Sequence, residues 1–339
     1  VTAPVSVLDP PTMPTVILGG GSVIGQRLLS RLSAGSVDLR TMRDGAVDEA
    51  AFAGAGTLIV LGAGRGPDLD GRGGAEFDLA TVRAALGAAT KAGVRQVVVL
   101  SSAMMYGAWP DNPVPLTEDA PLRPDPRLPA VTSMAELERL AASWRDDNPG
   151  VSVAILRPVV MVSAETATWF RRSLWRSGGL QVGDADPPRQ FVHVEDVVTA
   201  LEVAWRGRLD GPFNVAPDGW LTAEVWHDLG GSTPRLRLPA GAVRWLRRVG
   251  LRAGLGDAPP ELLSYAVHPW VVANDRLRAA GWKPAFTNEE AYIAADRAGP
   301  LRSMSPRTRQ ELSLAGAGLV LAGTVLGLGW LLRQRHRRR

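Results

Sequence analysis

The chain has 339 residues, 45% of them hydrophobic and 21% charged, which suits about two domains with a sizeable core. It has no cysteine, which excludes disulfides, thiolate metal sites and a cysteine nucleophile, and its four histidines (His193, His227, His268, His336) are too scattered for a ligand set, so no metal is expected. The formal charge of +4 misleads: the tail Arg333–Arg339 holds five arginines and no acid, so the body is nearly neutral and lacks the basic excess of a nucleic-acid-binding domain.

Residues 1–12 (VTAPVSVLDPPT) read as a disordered N-terminus without the basic and apolar regions of a signal peptide, and the first domain is placed at 13–158. Within it, Val16, Ile17 and Leu18 form a short apolar run suited to a buried strand. Gly19, Gly20, Gly21 and Ser22 follow, and Val23, Ile24 and Gly25 then open an amphipathic helix with Leu28, Leu29 and Leu32 on one face. Strand, glycine turn and helix in that order make a dinucleotide-binding geometry. Glycine lets the backbone approach a pyrophosphate, and the helix N-terminus offers free N–H groups and the positive end of its dipole.

Val37–Met42 reads as a second strand ending at Arg43 and Asp44. An acid there would hold the adenosine ribose hydroxyls and an arginine would suit a 2′-phosphate, so NAD and NADP both stay open. Only a short helical piece, Val47–Phe52, separates it from the third strand, Thr57–Leu61, which runs into Gly62-Ala63-Gly64. That spacing is tight for a full strand–helix–strand–helix–strand unit and suggests one missing element. Phe77–Ala92 reads as a helix, Gln96–Leu100 as a strand ending in Ser101-Ser102, and Trp109–Pro129 as a proline-rich loop. A helix over Thr132–Trp144 is expected to open with a capping box between Ser133 and Glu136, and Val151–Leu156, followed by Arg157-Pro158, is a further buried strand. The alternation predicts an α/β fold: a Rossmann-type, doubly wound parallel sheet.

From residue 159 the pattern loosens into an aromatic helix at Thr166–Trp175, the run Arg189–Asp196, a helix to Arg206, and Gly211–Val215. This predicts a smaller C-terminal substrate lobe over 159–300, interleaved with the sheet and closing over the cleft. Asp196 is expected to cap the helix that follows it. After a linker at 301–311, Leu312–Leu332 runs 21 residues without a charge, long enough for a transmembrane helix. Trp330 suits the interface and the basic tail 333–339 the headgroups. Gly323-x-x-x-Gly327 fits a helix dimer, hence a possible homodimer. The expected location is the cell membrane, with the folded domain in the cytoplasm; Arg297, Arg302, Arg307 and Arg309 nearly balance the tail and leave its side open.

Taken together, LGGGSVIG at 18–25, VVVLSSAMMYG at 97–107, LRP at 156–158, RQFVHVEDVVTAL at 189–201, FNVAPDG at 213–219 and RLRAAGWKP at 276–284 give the chain its resemblance to the extended short-chain dehydrogenase/reductase family, the NAD-dependent epimerase/dehydratase type acting on nucleotide sugars. The glycine spacing resembles that family's G-x-x-G-x-x-G, with Ser22 at the middle glycine. The resemblance implies NAD(P) contacts at Gly19, Gly21, Ser22, Ile24, Gly25, Arg43, Ala63, Ser101 and Pro158. It implies ligand contacts at Arg189, matching an arginine that meets the diphosphate, with an ordinary surface salt bridge as the equal alternative, and at His193, for which a buried core role is the other reading. Ser102 matches the catalytic serine, with a plain strand-end serine as its alternative, and Tyr106 matches a structural Tyr-Gly turn, with a substitute catalytic phenol as its other reading.

The family's proton-transferring tyrosine, and the lysine four residues later, fall at Ala130 and Met134. The only tyrosines are Tyr106, Tyr265 and Tyr292, and neither Lys91 nor Lys283 lies four residues after one, so slippage cannot supply the pair. Alanine and methionine transfer no protons. The resemblance therefore implies an atypical, membrane-anchored NAD(P)-binding protein that binds or senses a small molecule such as a nucleotide sugar. The alternatives are an active oxidoreductase or epimerase on a nucleotide- or lipid-linked substrate using a substitute acid/base, and a scaffold that binds no cofactor.

Overall fold

The computed structural model describes residues 12–33, 38–42, 47–61, 79–163, 180–182, 186–230, 236–239, 241–242 and 260–296. The expected helix at Thr166–Trp175, Arg43, Asp44, Ala63 and the apolar run Leu312–Leu332 lie outside these residues. Among the described residues no helix is long and apolar enough to cross a membrane.

The centre of the molecule is a six-stranded sheet of β1 (Thr15–Leu18), β2 (Leu39–Met42), β3 (Thr57–Val60), β4 (Gln96–Leu100), β5 (Ser152–Pro158) and β9 (Gly211–Val215), in the order β2-β1-β3-β4-β5-β9. Every pairing is parallel, with Thr15 beside both Leu39 and Thr57, Thr57 beside Gln96, and Gln96 beside Ser152. All residues of β1, β3 and β4 are buried. That is why these strands read as unbroken apolar runs: a parallel sheet is covered on both faces. Helix α1 (Val23–Leu32) packs beside α4 (Val194–Gly207), and α2 (Leu79–Ala92) beside α3 (Pro129–Asp147). The fold class is the expected α/β Rossmann type.

The tight spacing between the second and third strands has a simple cause. β3 pairs with β1 on the side away from β2, so among the described residues nothing continues the sheet beyond β2. The link between them holds a short 3-10 turn, Glu49–Phe52, which buries Phe52 and is pinned by Arg40 donating to the Ala51 and Ala53 carbonyls at 3.0 and 2.7 Å. From β1 the chain crosses one way to β2, and from β3 the other way to β4. The switch therefore lies at the carboxyl ends of β1 and β3, where open α/β sheets place a ligand.

The later chain supplies two small parallel pairs, β6 (Val160–Val162) with β8 (Phe191–His193), and β7 (Leu180–Val182) with β10 (Leu236–Leu238). Helices α5 (Ala223–Gly230), α6 (Leu263–Val267), α7 (Asp275–Ala279) and α8 (Asn288–Asp296) complete the described chain. These segments are held by buried amides more than by regular structure. Gln190 donates to the Gly219 and Val272 carbonyls and accepts from the Val272 N–H, while Asn288 accepts from the Phe191 N–H and donates to the Asp218 carbonyl.

Candidate functional site

The glycine turn sits where the topology requires it. Gly19 has φ +87°, a conformation costly for any residue with a Cβ. A Cβ on Gly25 would stand 2.7 Å from the Gly19 carbonyl oxygen and from Gly20 backbone carbons, so only glycine lets α1 start this close to the end of β1. Gly21 is exposed and a Cβ there would meet nothing within 4 Å, so it faces open space. Ser22 is the N-cap: its hydroxyl accepts from the Gly25 N–H at 3.0 Å and donates to the Gly19 carbonyl at 2.9 Å. Ile24 is half-buried, and no acidic side chain occupies the first turn of α1. A glycine-walled helix start free of carboxylate suits an anionic diphosphate.

Ser101 and Ser102, at the end of β4, have separate tasks. Ser102 is partly exposed and caps the 3-10 turn Ala103–Tyr106, accepting from the Met104 N–H at 3.2 Å. Ser101 is buried and donates to the Glu138 carboxylate. Glu138 receives Arg157 in a fork, Nε to Oε1 at 3.1 Å and Nη2 to Oε2 at 2.7 Å. Arg157 Nη1 donates to the Tyr106 hydroxyl at 2.9 Å, which itself donates to Asn214 Oδ1 at 2.8 Å, and the Asn214 N–H meets Glu118 at 2.9 Å. All these side chains are buried. Burial pushes the Tyr106 phenol above its ordinary value, against the opposing pull of Arg157. Tyr106 is thus a structural tyrosine, as expected. Pro158 is buried at the end of β5, in register with Val215 of β9.

Helix α3 begins three residues earlier than predicted. Pro129 is at its first turn after Leu128, which makes no side-chain cap, so the capping box does not form. Ser133 and Glu136 lie inside the helix, and Glu136 pairs with Arg83 and Arg139. Proline already has a helical φ and lacks the N–H that a cap would satisfy. Ala130 is half-buried in that first turn, and Met134 is buried one turn on.

Arg189 lies just before β8 and His193 ends it. The Arg189 guanidinium lies 4.7 Å from the centre of the Trp226 ring and donates to Asp186 at 3.1 Å, and burial lowers its pKa. Asp186 also meets His227 Nε2. A narrow cleft of about 20 Å³ opens here, walled by Arg189, Phe191, Trp226, Tyr265 and Trp270, with Val159, Val160, Gln190 and Val271. Sequence reasoning found only Arg189 among these. The four aromatic residues come from segments without a clean period, so no pattern marked them as a wall.

His193, not Asp196, caps α4, its ring nitrogen Nδ1 accepting from the Glu195 N–H at 3.3 Å, with Phe286 4.1 Å from ring to ring. Asp196 is fully buried inside the helix, and its carboxylate accepts from the Ala285 and Phe286 N–H groups at 2.7 and 3.1 Å. The expected capping aspartate is therefore a tie to the C-terminal segment. Burial lowers the His193 pKa, so the unfolded chain binds the proton more readily. Its contribution to stability is present above the unfolded value near 6.5 and is lost as pH falls through the lower folded value. Chemical denaturation between pH 7.5 and 5 should show this decline, and His193→Gln should flatten it; an unchanged slope would remove His193 as its source.

The sequence profile of the NAD dependent epimerase/dehydratase family matches residues 15–216. A similar curated protein is Rv0501 of Mycobacterium tuberculosis (strain H37Rv), uncharacterized, 26% identical over 200 residues. The match covers 59% of this chain and about half, 53%, of that protein. Among solved structures, MoeE5 in complex with UDP-glucose and NAD superposes with a TM-score of 0.60 at 19% identity, covering 86% of this chain and 100% of MoeE5. The UDP-glucose 4-epimerase of Thermus thermophilus, in complex with NAD, gives 0.59 at 18% identity, over 84% of this chain and 98% of that one. TunA, an NAD-dependent NDP-hexosamine 5,6-dehydratase involved in tunicamycin biosynthesis, gives 0.62 at 17% identity, over 84% and 97%. At these identities the likeness to solved structures is one of fold.

Proposed function

The chain belongs to the NAD-dependent epimerase/dehydratase family, and on that premise we propose that it is a membrane-anchored, dinucleotide-binding protein that binds or senses a nucleotide- or lipid-linked ligand without the family's usual proton-transfer pair. The reading is supported by the start of α3, which carries Ala130 and the buried Met134, the residues that the resemblance aligns with the pair, and neither has a titratable group. Gly19, Gly21, Ser22, Ile24 and Gly25 would hold the dinucleotide. Their fit is supported by the backbone-tight Gly25 and the open space over Gly21. A nicotinamide dinucleotide supplies hydride-transfer chemistry when bound. This chain's residues position it, and Ser102 offers one hydroxyl already engaged as a cap. Anchoring is supported by the 21 uncharged residues of Leu312–Leu332.

The test is a titration of the full chain in non-ionic detergent with NADH and NADPH, following the fluorescence of its 11 tryptophans. Micromolar binding of one of them is expected. No binding by either up to about 1 mM, a free energy of only about −4 kcal/mol, would overturn the dinucleotide reading. A companion assay follows absorbance at 340 nm with UDP-sugars. No cofactor-dependent turnover is expected; turnover that Ser102→Ala abolishes would make the protein an active oxidoreductase or epimerase instead.

A further inference from the structure

The stretch Pro260–His268, which contains α6, lays one side chain across the place where a ligand would lie. Tyr265 shares the wall of the narrow cleft with Arg189. Its hydroxyl donates to the Met104 carbonyl at 2.7 Å, and the Met104 N–H donates to the Ser102 hydroxyl at 3.2 Å. The Tyr265 side chain therefore reaches from the wall at Arg189 to the turn that Ser102 caps, the two positions to which the family resemblance assigns a ligand. It is 3% exposed, and Trp270 backs it edge-on at 5.3 Å, with its indole N–H on the Tyr265 carbonyl at 3.1 Å. The space left is about 20 Å³, room for about one water and for no sugar ring. Burial pushes the Tyr265 phenol up, so it stays a neutral donor to the carbonyl.

The stretch is attached unevenly. Behind it the chain is pinned: Asn112 donates to the Pro269 carbonyl at 2.8 Å, and Leu116 exchanges backbone bonds with Val271 and Ala273, both at 2.8 Å. Among the described residues, Pro260–His268 itself donates one hydrogen bond to the sheet side of the cleft, the one from Tyr265 to Met104. Ser264 turns inward to the Glu261 carbonyl, and the His268 N–H to the Ser264 carbonyl. A segment fixed at one end and latched by a single side chain has a natural direction of opening.

We propose that Pro260–His268 is a strap that holds the ligand cleft closed, with Tyr265 as its plug, and that a nucleotide-linked ligand enters only when Tyr265 leaves the Met104 carbonyl. This rests on the reading of the cleft as the ligand site. Leu262 and Leu263 are buried and move with the strap, so the open form is the minor one, and the apparent affinity falls by the fraction of molecules that are open.

The experiment is isothermal titration calorimetry with UDP-glucose on the full chain in non-ionic detergent, comparing the unmodified protein with Tyr265→Phe and Tyr265→Ala, each checked for folding by circular dichroism. Tyr265→Ala is expected to bind at least tenfold more tightly than the unmodified protein. Tyr265→Phe keeps the ring, loses only the latch, and serves if the truncation unfolds the protein; it should bind at least threefold more tightly. Amide hydrogen exchange gives a second readout. Exchange over 260–268 should quicken at least tenfold in Tyr265→Phe, and UDP-glucose should quicken it in the unmodified protein, where a ligand packing against a fixed wall would slow it. Equal affinities in the folded proteins, no UDP-glucose binding by any of them, or exchange slowed by UDP-glucose would each overturn the strap. NADH titrations of the same proteins separate the two claims: no NADH binding with the UDP-glucose order kept would overturn the dinucleotide reading alone, and NADH binding with equal UDP-glucose affinities would overturn the strap alone.

Discussion

Gly25→Ala is expected to abolish measurable dinucleotide binding and to destabilise the fold by about 1–3 kcal/mol, the usual cost of forcing a group into packed space. The new methyl carbon would lie 2.7 Å from the Gly19 carbonyl oxygen and from two Gly20 backbone carbons. None of these is a flexible side-chain end, so relief requires α1 to move away from β1. That movement breaks the Ser22 cap and re-aims the N–H groups of the helix start, which is the geometry a diphosphate would use. Gly21→Ala is the matched control. Its added carbon meets nothing within 4 Å, so stability should change little while any ligand lying over the turn is crowded. Denaturation midpoints and NADH titrations of both variants separate the effects. A Gly25→Ala protein of unchanged stability and affinity would show that the turn relaxes without cost and that α1 need not start this close to β1.

The sheet was legible because a parallel strand covered on both faces has to be apolar throughout, and VIL at 16–18, TLIV at 57–60 and QVVVL at 96–100 meet that demand locally. The compressed region after β2 was legible as well, since too few residues lay between two strands for another helix and strand. The local rules failed where a distant partner outbid a near one. Asp196 reads as a cap because acids favour helix starts, yet two N–H groups 89 and 90 residues further on claim its carboxylate, and His193 takes the cap instead. Ser133 and Glu136 have capping-box spacing, but Pro129 opens the helix one turn earlier and Glu136 turns to arginines.

The site was legible only in part, for the same reason. The glycine turn and the cap role of Ser102 are local and could be read. Arg189 could be singled out, but the aromatic wall around it comes from β8, α5 and the segment near α6, brought together by tertiary packing alone. Glu138 did leave a signal. It lies on the stripe of Val131, Met134, Leu137 and Ala141 that α3 buries, and a carboxylate on a buried stripe requires a cation. Arg157, at the end of an apolar strand, is the reciprocal signal.

That pair carries the second large prediction. Arg157→Ala is expected to cost about 3–5 kcal/mol, because the Glu138 carboxylate would stay buried with only the Ser101 hydroxyl to meet it and the Tyr106 hydroxyl would lose a donor. Glu138→Ala should cost a similar amount by stranding the guanidinium. The double variant Arg157→Met with Glu138→Leu should be less destabilised than the two single losses added together, since no unpaired charge remains; residues in one network couple in this way. Equilibrium urea unfolding gives all three values. The pair joins α3 to β5, and through Tyr106 and Asn214 it joins β9 as well, so it fixes the helix that carries Ala130 and Met134 against the sheet. Additive single losses, or an Arg157→Ala cost below about 1 kcal/mol, would mean that water reaches Glu138 and that the network is not what holds α3 to the sheet.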